Sequence, residues 1–180
     1  VKEALTLKGA TFAYGRQMGK TLILPVRWNL ATAKPVLGTN PTEKLLTNGI
    51  RGSLKYSDFE WCSWADNDSV SFTIDLLKPE MLNTLTLGCI TNNGMAIHKP
   101  ASVRVEVSDD NSKFREAVVQ SFTSEEIFRE GNFIENLSLK LGGTQARYVR
   151  VTAKGPGVCP ASHVRPGQTS RVFFDEVMLE

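Results

Sequence analysis

Two histidines, His98 and His163, and three cysteines, Cys62, Cys89 and Cys159, are the side chains of this sequence best suited to metal binding or nucleophilic chemistry. Cys159 and His163 stand four residues apart, but Pro160 between them prevents a regular helix from placing both on one face. The cysteines lie far apart and form no CxxC pair. Neither a disulfide framework nor a zinc ribbon is indicated, and the thiols read as small apolar residues. The stretch GRQMGKT (15–21) resembles a phosphate loop but has three residues between its glycines where that motif has four. It also runs into an apolar, β-branched stretch instead of the helix whose N-terminus would face the phosphate. No serine or cysteine sits in a nucleophile elbow, and only the two histidines could act as an imidazole base. Catalysis by this chain alone is therefore not expected.

The elements that would position these residues read as strands. Val70, Phe72, Ile74 and Leu76 alternate with polar residues, as do Val103, Val105 and Val107, Leu137, Leu139 and Leu141, and Val149, Val151 and Ala153. Further strands are expected at 20–26, 82–90, 114–120 and 171–179, with SEEIFRE (124–130) as one short helical turn. Turn clusters at SDDNS (108–112), LGGT (141–144) and KGPG (154–157) separate them. Many short strands with little helix predict an all-β antiparallel sandwich.

Composition bounds the partners. With 41% hydrophobic and 22% charged residues over 180 positions, the chain reads as one soluble globular domain. The net charge is +2 and no run of four Lys/Arg occurs, which disfavours nucleic acid. The longest apolar run, LILPV (22–26), is far short of the roughly 20 residues a spanning helix needs, so no membrane insertion is expected. The opening VKEALTLKG has no leader pattern. That predicts either a cytosolic protein or a fragment whose leader lies elsewhere.

Six segments in order, NLATAKPV (29–36), LLTNGIRGS (45–53), VSFTIDLLK (70–78), KPASVRVEVSDDNSKF (99–114), ARYVRVTAKGPGVCP (146–160) and VFFDEVMLE (172–180), carry a resemblance. They resemble the landmarks of a discoidin-type, or coagulation-factor C-type, domain, the group that includes family 32 carbohydrate-binding modules. GIRGS, GVCPxxH and FFDEV together are similar to the C-terminal accessory module of bacterial family 20 glycoside hydrolases, the β-N-acetylhexosaminidases. The resemblance implies a galactose-binding-like jelly roll over 29–180, with 1–28 as an N-terminal segment, a strand packed on or leading into it. It implies a non-catalytic carbohydrate-binding module in a larger enzyme, with a glycan and the catalytic domain of the same polypeptide as partners. It also implies an extracellular, periplasmic or cell-surface location in a bacterium. The alternative is a structural accessory domain that packs on the catalytic domain and binds no sugar.

Sugar recognition needs an aromatic face and fixed polar groups, and recognition residues concentrate on loops. The resemblance makes Tyr56, Trp61, Trp64, Asn92, Asn93, His98, His163 and Arg165 the candidate sugar-binding residues, with Phe59, Asp66, Asn67 and Gln168 beside them. Trp61 and Trp64 either stack on sugar or pack beneath the loop. Ser162 and Arg171 stand where the hexosaminidase module carries aromatics, which implies weak, millimolar binding. No cofactor is required. The resemblance also implies a structural calcium held by Asn48, Ser53 and Glu176 with the carbonyls of Leu45 and Arg51, although Asn48 replaces the usual aspartate and removes one charge.

Overall fold

The computed structural model describes residues 5–26, 28–64 and 69–180. Strands β1 (Leu5–Ala13) and β2 (Arg16–Val26) form a separate antiparallel hairpin. Tyr14 and Gly15 turn it with φ of 50° and 74°, the left-handed pair that matches strand twist in a two-residue loop. The N-terminal segment is thus two strands where the sequence suggested one. The alternation in β1 is interrupted at Gly9, where the pairing slips before Thr11.

The remaining strands are β3 (Val36–Leu37), β4 (Cys62–Trp64), β5 (Ser69–Asn92), β6 (Ser102–Ser108), β7 (Arg115–Ser121), β8 (Asn132–Lys154) and β9 (Val172–Leu179). They are hydrogen-bonded in the order β4-β9-β5-β8-β6-β7, with β3 also on β5. β5 and β8 are long because each passes through a corner. The β5–β8 register shifts between Asp75 and Glu80, where Leu77 has φ 71°, and again opposite Gly142 and Gly143, which have φ 65° and 77°. Asp75 Oδ1 accepts the Leu77 N–H at 2.7 Å and holds this bend.

Beyond the corner the neighbours change. β6 pairs only with 148–154 of β8, and β9 only with 85–89 of β5. The sheet therefore makes two layers, β3-β5-β8-β6-β7 and β4-β9-β5-β8, closing on one core. That core joins Val70, Phe72, Ile74, Val103, Val105 and Val151 of the first layer to Leu85, Leu87, Leu137, Leu139, Phe174 and Val177 of the second. Each such buried side chain contributes about 1.5–3 kcal/mol. This is the antiparallel galactose-binding-like sandwich expected from the alternation, with the stretches 69–76 and 82–90 fused into one strand.

Three connections gather at one end. The β5–β6 segment binds the β8–β9 loop through His98 N–H to the Arg171 carbonyl, 3.0 Å, and Arg171 N–H to the Ala96 carbonyl, 2.9 Å. The β7–β8 connection joins them through Phe122 N–H to Ala101 O, 2.9 Å, and Asn93 N–H to Gly131 O, 3.3 Å. The helical turn α1 (Ser124–Ile127) lies in this connection, with Thr123 and Glu126 forming a reciprocal capping box. No described helix is long and apolar enough to cross a membrane.

Candidate functional site at the loop end

The segments carrying His98 and His163 meet here, and the two tryptophans of the neighbouring 56–64 stretch face inward. Trp61 is 5% exposed, packs with Ile90, Ile97 and Phe173, and donates its indole N–H to the Ser53 carbonyl at 3.0 Å. Gly52 makes room for it, since a Cβ there would lie 2.3 Å from the indole. Trp64 is 7% exposed and stacks on Phe72 with ring centres 6.1 Å apart and planes at 16°. Neither ring offers a stacking face, so both tryptophans are corrected from sugar platform to core. For Trp64 the cause is the alternation of β4, which turns Cys62 and Trp64 to the interior and Ser63 outward; Trp61 precedes the strand and is held by its indole bond to Ser53. Tyr56 is half-buried, edge-on to Phe173 at 6.3 Å, and Phe59 is exposed. Asp66 and Asn67 lie outside the described residues.

The polar candidates divide. Asn92 closes a backbone bridge with Ile97, and Asn93 is buried with its Oδ1 unpartnered. Arg165 and Gln168 are exposed on the last loop. His98 is 0% exposed and His163 8%, so neither projects toward a ligand as a surface side chain. Their Nε2 atoms face each other at 3.1 Å. Hydrogen bonds fix the tautomers. Arg165 N–H donates to His163 Nδ1 at 3.0 Å, so the proton of neutral His163 sits on Nε2 and points at His98 Nε2. His98 Nδ1–H then donates to Ser170 Oγ, whose hydroxyl donates to the Ala96 carbonyl at 3.2 Å. Burial, aided by His163, pushes the His98 pKa down to about 4, which keeps His98 neutral. Cys159, dismissed from sequence spacing, joins the cluster. Its Sγ and one nitrogen of each histidine lie within 4.8 Å of one another.

Outside this cluster is a shallow groove of about 440 Å³ lined by Ser124, Glu125, Phe128, Arg129, Glu130, Pro160 and Ser162. Half-buried Phe128 forms its floor and packs edge-on against His98 at 5.1 Å and His163 at 6.1 Å. Sequence reasoning missed Ser124, Glu125, Phe128, Arg129 and Glu130 because it took 124–130 only as a helical turn.

The expected calcium residues are reached by another part of β9. Glu176 Oε2 accepts the Gly49 N–H at 3.0 Å, so Glu176 does face the 45–53 segment. Its Oε1 is buried without a hydrogen bond, and burial pushes its carboxyl up to about 8, with Asp175 adding to the shift. Asn48 Oδ1 caps Ile50 N–H at 2.8 Å, and its own N–H takes the Leu45 carbonyl at 3.4 Å. The Ser53 hydroxyl bonds Asp58 and accepts Lys55 N–H, pointing into its own turn. Arg51 directs its side chain to Asp175 Oδ2 at 2.7 Å and Asn136 Oδ1 at 2.7 Å. Calcium takes six to eight oxygens, and this set leaves one uncommitted carboxylate oxygen beside main-chain carbonyls. With the side chains of Asn48, Ser53 and Arg51 turned to other partners, the residues present do not supply the six to eight oxygens the ion takes.

Residues 31–165 match the F5/8 type C domain. The chain belongs to that family. Three solved structures are similar to this F5/8 type C domain. A family 32 carbohydrate-binding module of Clostridium perfringens superposes with a TM-score of 0.54 at 18% identity, over 85% of this chain and 98% of the module. Chitosan-binding module 1 of a Paenibacillus chitosanase/glucanase gives 0.55 at 16%, over 86% and 99%. A Streptococcus pneumoniae fucose-binding module gives 0.54 at 16%, over 84% and 94%. At these identities the F5/8 type C fold is what is shared. No curated protein matches the sequence at a significant level.

Proposed function

We propose that this F5/8 type C domain is a non-catalytic carbohydrate-binding module that takes a galactose- or N-acetylhexosamine-type sugar for a bacterial glycoside hydrolase of the β-N-acetylhexosaminidase kind, outside the cytoplasm. The observation that carries this reading is the groove at the loop end, where the Phe128 ring lies beside Ser124, Glu125, Arg129, Glu130 and Ser162. An apolar ring with several hydroxyl-binding side chains is what a single pyranose needs. Family membership and the carbohydrate-binding names of the similar modules support it. The groove is open and its floor is one half-buried ring, so the affinity is in the millimolar range, about −4 kcal/mol. Coupled to a catalytic domain, such weak binding acts by raising local glycan concentration.

The test is an affinity series. Phe128→Ala is expected to weaken binding by about 1–3 kcal/mol, and Arg129→Ala and Glu130→Gln to weaken it without unfolding. Equal affinity in all three variants would remove the groove from the account.

The second reading, a structural domain packing on a catalytic partner, draws on the hairpin. Phe12, Met18, Leu22 and Ile23 there are each more than half exposed, and a lone hairpin is marginal without a neighbour. Loss of sugar binding with retained association through this hairpin would favour it.

A further inference from the structure

We propose that His98, Cys159 and His163 form a binding site for a zinc-class divalent ion, a reading independent of any sugar. The three come from two connections that are distant in sequence, the segment after β5 and the loop before β9, and all three are buried. Two nitrogens at about 2.0–2.1 Å from a tetrahedral zinc stand about 3.3 Å apart, and the facing Nε2 atoms are 3.1 Å apart. A thiolate at about 2.3 Å from the same ion lies about 3.6 Å from each nitrogen. Sγ and one nitrogen of each histidine now lie within 4.8 Å of one another, so an approach of about 1.2 Å at most closes the set. Imidazole and thiolate together select zinc-like ions over calcium or magnesium, and three protein ligands leave a fourth position for solvent.

The surrounding hydrogen bonds favour His98 as a ligand and set a condition on His163. His98 already points its Nδ1–H at Ser170 and its Nε2 lone pair at the cluster, the orientation an outer-shell partner gives a metal-bound histidine. His163 carries its proton on Nε2, in the place the ion would take, while Arg165 N–H occupies Nδ1. Binding therefore shifts the His163 proton from Nε2 to Nδ1 and turns the Arg165 amide away. The Cys159 thiol loses its proton to solvent, so one proton is released per ion bound. Arg165 is exposed, so turning its amide displaces no packed side chain, and the bond that has to give is the long Gln168 N–H to Arg165 carbonyl contact of 3.3 Å. The ion would then tie the β8–β9 loop to the β5–β6 segment, beneath the floor of the groove.

The experiment titrates the chelator-treated 180-residue chain with Co²⁺ and Zn²⁺ under reducing conditions. One equivalent of Co²⁺ is expected to give a sulfur-to-cobalt charge-transfer band and tetrahedral d–d bands. Zinc should displace the cobalt, raise the melting temperature, and move the Arg165 amide resonance more than those of the exposed β6–β7 turn. Cys159→Ser should abolish the charge-transfer band, and Cys89→Ser should keep it. Ser170→Ala should weaken affinity on the order of 10- to 100-fold while keeping one equivalent and the band. The proposal is overturned if the folded wild-type chain binds no stoichiometric ion. It is also overturned if the band survives Cys159→Ser, or if zinc binds with the Arg165 amide unmoved.

Discussion

Replacing Glu176 with glutamine should make the domain more stable at alkaline pH and flatten its stability profile. Glu176 is 1% exposed, one oxygen accepts the Gly49 N–H, and the other has no hydrogen bond. Its pKa is raised from 4.5 to about 8, chiefly by burial. The sign follows from proton counting. Below pH 4.5 both folded and unfolded chains hold the proton, and the group contributes nothing to the pH dependence. Between 4.5 and about 8 the folded chain holds a proton that the unfolded chain has lost, so stability falls as pH rises. At about 1.4 kcal/mol per pH unit, the loss across this window is at most about 5 kcal/mol, and a few kcal/mol once local water entry relieves the charge. Glutamine keeps an oxygen for Gly49 and has no charge to bury, so the variant should melt on the order of 10 °C higher than wild type at pH 8.5. The two should converge near pH 5. Thermal melts followed by circular dichroism over pH 5–9 measure this. His98, with its pKa lowered from 6.5 to about 4, opposes this fall below pH 6.5, so the decline is read above it. A wild-type stability that is flat or rising from pH 6.5 to 8, or a variant no more stable at pH 8.5, would refute the reasoning.

Other outcomes follow from the same packing. Adding calcium at pH 8 should leave the wild-type melting temperature unchanged, and a rise lost in Glu176→Gln would show that the 45–53 segment does assemble an oxygen shell. Arg51→Ala should cost about 3 kcal/mol by urea denaturation, because it leaves Asp175, 0% exposed, without its 2.7 Å partner. Trp64→Ala should cost about 3–5 kcal/mol while leaving sugar affinity unchanged, since the ring is held between Phe72 and Phe174. A change in sugar affinity at unchanged stability would contradict its core position.

The sandwich was legible because its core positions alternate cleanly. Val103, Val105 and Val107 point inward with Arg104 turned out, and a period of two admits one face assignment. The corner in β5 was not legible, since Leu77 adopts φ 71° with its N–H donated to the Asp75 carboxylate, and no glycine marks the place. The tryptophans were ambiguous by type, as indole is both a stacking platform and core filler; the three-residue register of β4 decided for Trp64. Cys159 and His163 looked separated by Pro160, yet that proline starts the turn, with His163 N–H on its carbonyl at 3.0 Å. Their third partner, His98, lies 65 positions before His163 and is brought near by the parallel bridge of Ile97 to Arg171 and the Ser170 bonds beside it. Such convergence belongs to topology, and local spacing carries no trace of it. The groove was missed because Phe128, Arg129 and Glu130 follow a capped turn whose side-chain directions depend on the β7–β8 connection.

The measurement that bears most directly on the central claim is an NMR titration of the ¹⁵N-labelled chain with galactose and N-acetylglucosamine, with glucose alongside. The account predicts saturable shifts at Ser124, Glu125, Phe128, Arg129, Glu130 and Ser162, with a millimolar midpoint for at least one of the first two sugars, and much smaller shifts in Phe128→Ala. Unshifted amides throughout 122–131 and 159–163 at tens of millimolar of both galactose and N-acetylglucosamine would contradict it.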